Sequence, residues 1–287
     1  MTKPPFLTKS RYVNGLQCAK WIWLSFNRPE ELPKVDEATQ HRFDEGHRIG
    51  DLSKTLFPDG IEVKTQINHQ KNNQESIELL KKRKPLFEAG FMHKNGKCYA
   101  RADILVPSDK DKWDIYEVKS ATSVKEEYLE DISFQKYCYE SAGLKIDKCF
   151  VMHVNNQYVR QGKVNSGELF VSAEVTEEVN TLMSEVPEKI KLLFKIINLD
   201  ECPEFKKEEE YHEDELGVHK NDKFWQENPN YDIFDLYRGG KLALELFNQG
   251  ILEIKDIPES HHHKLNDKNK IQHKTHSNEE HHYDKGE

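Results

Sequence analysis

A chain of 287 residues is long enough to bury a full core without disulfides, as one large domain or as a domain with an appendage. Apolar residues make up 36% of it and charged residues 32%, no run approaches the roughly 18 consecutive apolar residues of a membrane span, and residues 1–7 hold no apolar signal core; together these predict a cytoplasmic protein without membrane association. Five cysteines scattered without a CxxC pair argue against both a disulfide framework and a zinc ribbon. The net charge of −9 divides unevenly, with +1 over residues 1–199 and −10 over residues 200–287. A near-neutral body suits a local basic groove better than a broad basic surface.

In chain order, residues 7–26 place Tyr12, Leu16, Ala19 and Trp23 at helical spacing behind Thr8 or Ser10, which predicts one buried amphipathic helix. A second helix is predicted over about residues 39–56, with Phe43, His47 and Gly50 on one stripe, and a third, mostly polar one over residues 71–84. From Pro85 the period changes to that of strands, at residues 86–91, 98–106 and 113–120. There follow a helix over 124–142, strands over 148–154 and 169–175, and a helix over 176–197. Helices, a meander and a crossover helix together predict an α/β fold with a mixed central sheet. After Asn198 the chain turns acidic, with one more helix expected at 238–249, and the His- and Asn-rich stretch beyond Pro258 predicts disorder. The expected organisation is a catalytic domain over 1–199, an acidic extension over 200–258 packing on it, and a disordered tail over 259–287.

The chemistry concentrates in Arg101-Ala102-Asp103-Ile104-Leu105, a polar turn from Pro107 to Lys112, and Ile115-Tyr116-Glu117-Val118-Lys119-Ser120. Folded as a hairpin about Ser108 to Lys110, these strands bring Asp103 opposite Tyr116 or Glu117, while Glu117 and Lys119, two apart, share a face. Two carboxylates and an ammonium beside apolar neighbours are costly unless a cation lies between them. Asp103, Glu117 and the Val118 carbonyl make a plausible oxygen shell for Mg²⁺ or Mn²⁺, with Lys119 near the attacking water. A glutamate-x-lysine triplet alone is better explained by a surface ion pair. The Arg-x-Asp at hairpin distance, and a helix that puts Asp131, Gln135 and Tyr139 on one stripe, point instead to a site.

The segments "FEAGF", "ARADILV", "YEVKS" and "DISFQKYCYESAG" together resemble the RecB-like branch of the PD-(D/E)XK nucleases, a restriction-endonuclease-like fold. The resemblance implies a Mg²⁺- or Mn²⁺-dependent deoxyribonuclease acting on single strands or duplex ends, with Asp103, Glu117 and Lys119 at its centre. It further implies Glu88 as the first acidic motif, Gln135 and Tyr139 as its helix motif, with Lys136 replacing the usual apolar residue, and His47 as a metal ligand within "FDEGHRIGDLSKTLFPDG". The wider pattern, from "LTKSRYVNGLQCAKWIWL" to "FDLYRGGKLALELFNQGILEIKDIP", is similar to an uncharacterised bacterial family in which such a module precedes a DEDD-type exonuclease module. No such module is present in these residues, so the resemblance implies either the N-terminal part of a longer architecture, completed by the missing exonuclease module or a partner protein, or a shortened relative. Relatives in this branch, including the CRISPR-adaptation nucleases, often hold a [4Fe–4S] cluster. Cys18 matches its first position, but Lys220 stands where a cysteine is expected and Cys202 is isolated, so no cluster is expected. His212, His219 and the tail histidines read as solvated polar residues. The competing reading is a catalytically weak or inactive nuclease-fold module that binds nucleic acid or a partner protein.

Overall fold

The computed structural model describes residues 6–32, 37–203, 233, 236, 237 and 239–278. Two compact units are present, one of Met1–Leu16 with Lys34–Asn198 and one of Gln17–Pro33 with Leu199–Glu287. One unit boundary falls between Asn198 and Leu199, and the segment after Leu16 belongs with the second unit.

The first unit is a mixed α/β fold. A short β1 (Leu7–Thr8) leads into α1 (Lys9–Gln17). The expected single helix over 7–26 is interrupted at Cys18, whose extended backbone (φ −147°, ψ 109°) starts a new helix of the second unit, α2 (Ala19–Asn27), and whose Sγ accepts from Trp21 N. Next come α3 (Glu37–Lys54), β2 (Ile61–Glu62) and α4 (His69–Leu80), the last capped by Asn68. The strands β3 (Leu86–Met92), β4 (Cys98–Pro107) and β5 (Lys112–Lys119) form the expected meander. The crossover helix α5 (Glu126–Ser141) returns the chain to β6 (Lys145–Val154), parallel to β5, and a single turn, α6 (Ser166–Leu169), precedes the antiparallel β7 (Phe170–Glu174). The sheet has seven strands in the order β2-β3-β4-β5-β6-β7, with β1 joined in parallel to β4. The expected helix over 176–197 is two, α7 (Thr176–Met183) and α8 (Val186–Ile197), because Pro187 can open a helix but not continue one.

Alternation along β5 assigns the two faces of the sheet. Tyr116 stacks on Phe150 (ring centroids 4.5 Å apart) and meets Phe57, beyond α3, edge-on. Glu117 points to the opposite face, under α5. The core is built from Leu86, Ala89, Phe91, Ala102, Ile104, Leu105, Ile115 and Val151, all fully buried. Against it α5 presents Asp131, Gln135 and Tyr139, all buried, where an ordinary packing helix would be apolar.

In the second unit, Ile233, Leu236, Leu246, Phe247, Ile254, Ile257 and Leu265 form a buried cluster around α9 (Gly240–Asn248). The tail expected to be disordered instead carries a 3-10 segment, Glu259–Lys264, and a helix, α10 (Asp267–Asn278). Few apolar residues suffice, because Leu265 joins the cluster, Asn266 caps α10 by accepting from Asn269 N, and buried Asn269 donates to Tyr237 O. His212, His219 and Lys220 lie outside the described residues. Among those described, no helix is long and apolar enough to cross a membrane.

Candidate active site

Three adjacent strands bring three carboxylates to one level. The β4–β5 register pairs Ile104 with Tyr116, and continuing it sets Asp103 opposite Glu117. The β3–β4 register pairs Phe87 with Ile104 and Ala89 with Ala102, which sets Glu88 opposite Asp103 on the other side. Glu88 departs from strand geometry, with φ at +57°, a left-handed conformation that costs a residue with a Cβ about 1–2 kcal/mol. Its carbonyl turns to Asn72 Nδ2 (3.1 Å), and its carboxylate pairs with Arg101 (2.9 Å) and, more distantly, Lys54 (3.7 Å).

Glu117, 2% exposed, is the hub. Lys119 Nζ donates to its Oε1 at 2.8 Å and to Asp131 Oδ2 at 2.8 Å, and stands 5.0 Å from the Tyr128 ring centroid. Gln135 Nε2 donates to Glu117 Oε2 (2.7 Å) and Asp131 Oδ1 (3.0 Å). Gln135 Oε1 is buried without a partner, an acceptor the protein itself leaves unfilled. Lys9, from the first turn of α1, donates to both Glu117 oxygens at 2.8 and 3.0 Å and lies 3.5 Å from Asp131 Oδ1. Asp103 Oδ2 accepts from Val118 N at 2.7 Å, fixing this carboxylate on the strand that carries Glu117.

Of the residues singled out in the sequence, Asp103, Glu117, Lys119 and Gln135 are thus brought together, and Glu88 flanks them. Tyr139 sits behind the cluster, its hydroxyl bridging β3 and β4 by donating to Ala89 O (2.6 Å) and accepting from Ala102 N (2.7 Å). His47 is exposed on α3 and shares no hydrogen bond or ion pair with these groups. Lys9 was not foreseen. Its signal was a lysine in the first turn of a helix with no acidic residue there, where the helix dipole disfavours a cation.

The electrostatics follow from burial. Desolvation pushes the Glu117 carboxyl up to about 7, and Asp103 and Asp131 push the same way against Lys119 and Lys9. Burial also raises Asp103, with Lys9 and Lys119 opposing. Burial works against the charged form of Asp131 too, but Lys119 and Lys9 overcome it and hold this carboxyl below the usual range. Burial likewise opposes the charge on Lys9 and Lys119, and the acids outweigh it, raising both above the ordinary lysine value. Among the described residues, no group of three or more His, Cys, Asp or Glu side chains is disposed as a ready cation site. Both Glu117 oxygens are already engaged by ammonium and amide groups.

A pH dependence of stability follows. Glu117 binds its proton more tightly in the folded chain, so its contribution favours the fold below the ordinary carboxyl value of 4.5 and is lost as pH rises through about 7. In EDTA, the wild type should lose on the order of 1–3 kcal/mol relative to Glu117→Gln across that window. Urea midpoints measured for both proteins at several pH values would check this, and parallel curves would contradict it.

No protein-family model matches the chain, and no curated protein matches it. Solved structures similar to it include that of SSO0001, at 14% identity over 67% of this chain and 78% of that one, with a TM-score of 0.36. An alkaline exonuclease from Laribacter hongkongensis is similar at 13% identity, over 67% of this chain and 89% of that one, with a TM-score of 0.30. The same exonuclease in complex with dAMP gives 12% identity, coverage of 67% and 91%, and a TM-score of 0.35.

Proposed function

We propose that this protein is a divalent-metal-dependent nuclease of the PD-(D/E)XK type that hydrolyses DNA phosphodiester bonds, at single strands or duplex ends. One observation carries the reading: Asp103 and Glu117 stand side by side on a hairpin, and Lys119, two residues on, reaches the same cluster. A strand that needed only an ion pair would not bury a second and a third acid beside the first.

The donor set fits a hard cation. Asp103, Glu117 and the Val118 carbonyl would supply the oxygen ligands that Mg²⁺ and Mn²⁺ prefer, with Glu88 flanking Asp103. When bound, such an ion supplies Lewis-acid polarisation of the phosphoryl oxygen and a more acidic water. The residues of the chain do the rest. Gln135 and Asp131 hold Glu117 and Lys119 in place, and Lys119 presents a fixed positive charge where negative charge develops on the phosphoryl group. Tyr139 fixes β3 against β4, and so Glu88 against Asp103. His47, exposed on α3, has no part in this reading.

The test is incubation of end-labelled single- and double-stranded DNA with Mg²⁺, Mn²⁺ or EDTA. Cleavage should require the metal and disappear in Asp103→Asn and Glu117→Gln. A second reading, a nuclease-fold module that binds nucleic acid or a partner without cutting, is favoured by the engagement of Glu117 by two lysines. Metal-independent binding of the same DNA with no cleavage by any preparation would select it and overturn the first.

A further inference from the structure

Lys9 is the surplus cation of the cluster. Lys119 already links Glu117 to Asp131, with both contacts at 2.8 Å and an aromatic ring beside its ammonium. Lys9 adds a second ammonium that spans both oxygens of Glu117, while its contact to Asp131 is looser at 3.5 Å. Its side chain is 19% exposed, against 3% for the Glu117 side chain it covers. Lys119 is similarly exposed, at 22%, so the two lysines differ in their partners and not in depth: Lys9 has one close acid, and Lys119 has two.

Both Glu117 oxygens are occupied by the group that a metal would have to replace. A divalent cation bound to Glu117 would lie within a few ångströms of the Lys9 ammonium if that side chain stayed in place, and like charges at such a distance in a buried site repel strongly. The lysine stem is flexible, and its ammonium is well solvated once it leaves.

Resting on the metal-site reading above, we propose that Lys9 is a resident counterion that competes with the divalent cation for Glu117. It neutralises the buried carboxylate while no metal is bound, moves off when the metal binds, and so sets the metal concentration at which the site switches on. Lys9 is on this account a positioning residue that acts through Glu117. Because the two cations exclude each other, removing one must tighten the other.

The decisive experiment measures Mn²⁺ binding without DNA, from the electron paramagnetic resonance of free Mn²⁺, for wild type, Lys9→Met, Lys9→Arg and Glu117→Gln. Lys9→Met should bind Mn²⁺ roughly tenfold more tightly than wild type, Lys9→Arg close to wild type, and Glu117→Gln much more weakly. A merely structural lesion at Lys9 would loosen the site, so tightening separates the two roles. A measurement that needs no variant runs beside it: in the wild type, acylation of Lys9 followed by mass spectrometry should increase several-fold when Mn²⁺ is added. Unchanged or weaker binding by Lys9→Met, or a Lys9 that stays equally protected with Mn²⁺ bound, overturns the counterion role and leaves the metal site standing. Absence of Mn²⁺ binding by the wild type overturns the metal site itself, and the proposal with it.

Discussion

Lys119→Ala is expected to lower the single-turnover rate of DNA cleavage by a factor on the order of 10²–10³ at saturating metal, the usual loss when one transition-state donor is removed. On the proposed reading Asp103 and Glu117 are less informative targets, since replacing either would remove metal and activity together. Lys119 reaches Glu117 and Asp131 and on that reading is no metal ligand, so its loss should spare metal and DNA binding. One indirect effect has to be controlled. Without Lys119, Asp131 keeps Gln135 and the more distant Lys9, and the carboxyl groups around it shift toward their protonated forms. Saturating metal at a pH above the Glu117 transition removes that complication. A Lys119→Ala protein that cleaves as fast as its parent under those conditions would refute the role assigned to the lysine.

Tyr139→Phe is expected to destabilise the protein by about 2–4 kcal/mol without directly touching the carboxylates. Ala89 and Ala102 are register partners on β3 and β4, and the Tyr139 hydroxyl is inserted between them, donating to the carbonyl of one and accepting from the amide of the other. Phenylalanine would keep the ring, packed edge-on to Phe91 at 4.7 Å, and leave a buried N–H and a buried C=O unpaired. Each such orphan costs about 1–3 kcal/mol. Urea unfolding with an unchanged denaturant slope would isolate the effect, and a loss under about 0.5 kcal/mol would mean that the strands close the gap by themselves.

The hairpin was legible because strand alternation and a polar turn are local signals. Two residues on one strand share a face whatever the tertiary fold, so Glu117 and Lys119 followed from spacing, and Asp103 from the length of the turn. The Asp131, Gln135 and Tyr139 stripe was legible for the same reason. Its division of labour was not: Gln135 faces the acids and Tyr139 braces the sheet, and only their neighbours in space decide that. Lys9 escaped because its partner is 108 residues away. Glu88 was visible as an acid on a strand, but its left-handed backbone gave no sign in the sequence, since the turn of its carbonyl toward Asn72 is a tertiary event. The breaks at Cys18 and before Pro187 were overlooked because helical periodicity continues across them. The region beyond Pro258 misled through composition, where a few well-placed apolar residues and one Asn cap outweigh a polar average.

The parallel pairing of Leu7 and Thr8 with Cys98 and Tyr99 carries a kinetic consequence. The edge that receives β1 is synthesised about 90 residues after β1 itself, a delay of roughly 5–20 s at the usual pace of translation. Until then Leu7 has no partner and Lys9 no carboxylate. Contacts of such long sequence separation form late, because the loop entropy must be overcome before they contribute anything. The rest of the sheet can assemble from the β3–β4–β5 meander and the β5–α5–β6 crossover, whose pairings are far more local. On these separations the acids at the centre of the site are expected to gather before Lys9, 108 residues from Glu117, reaches them.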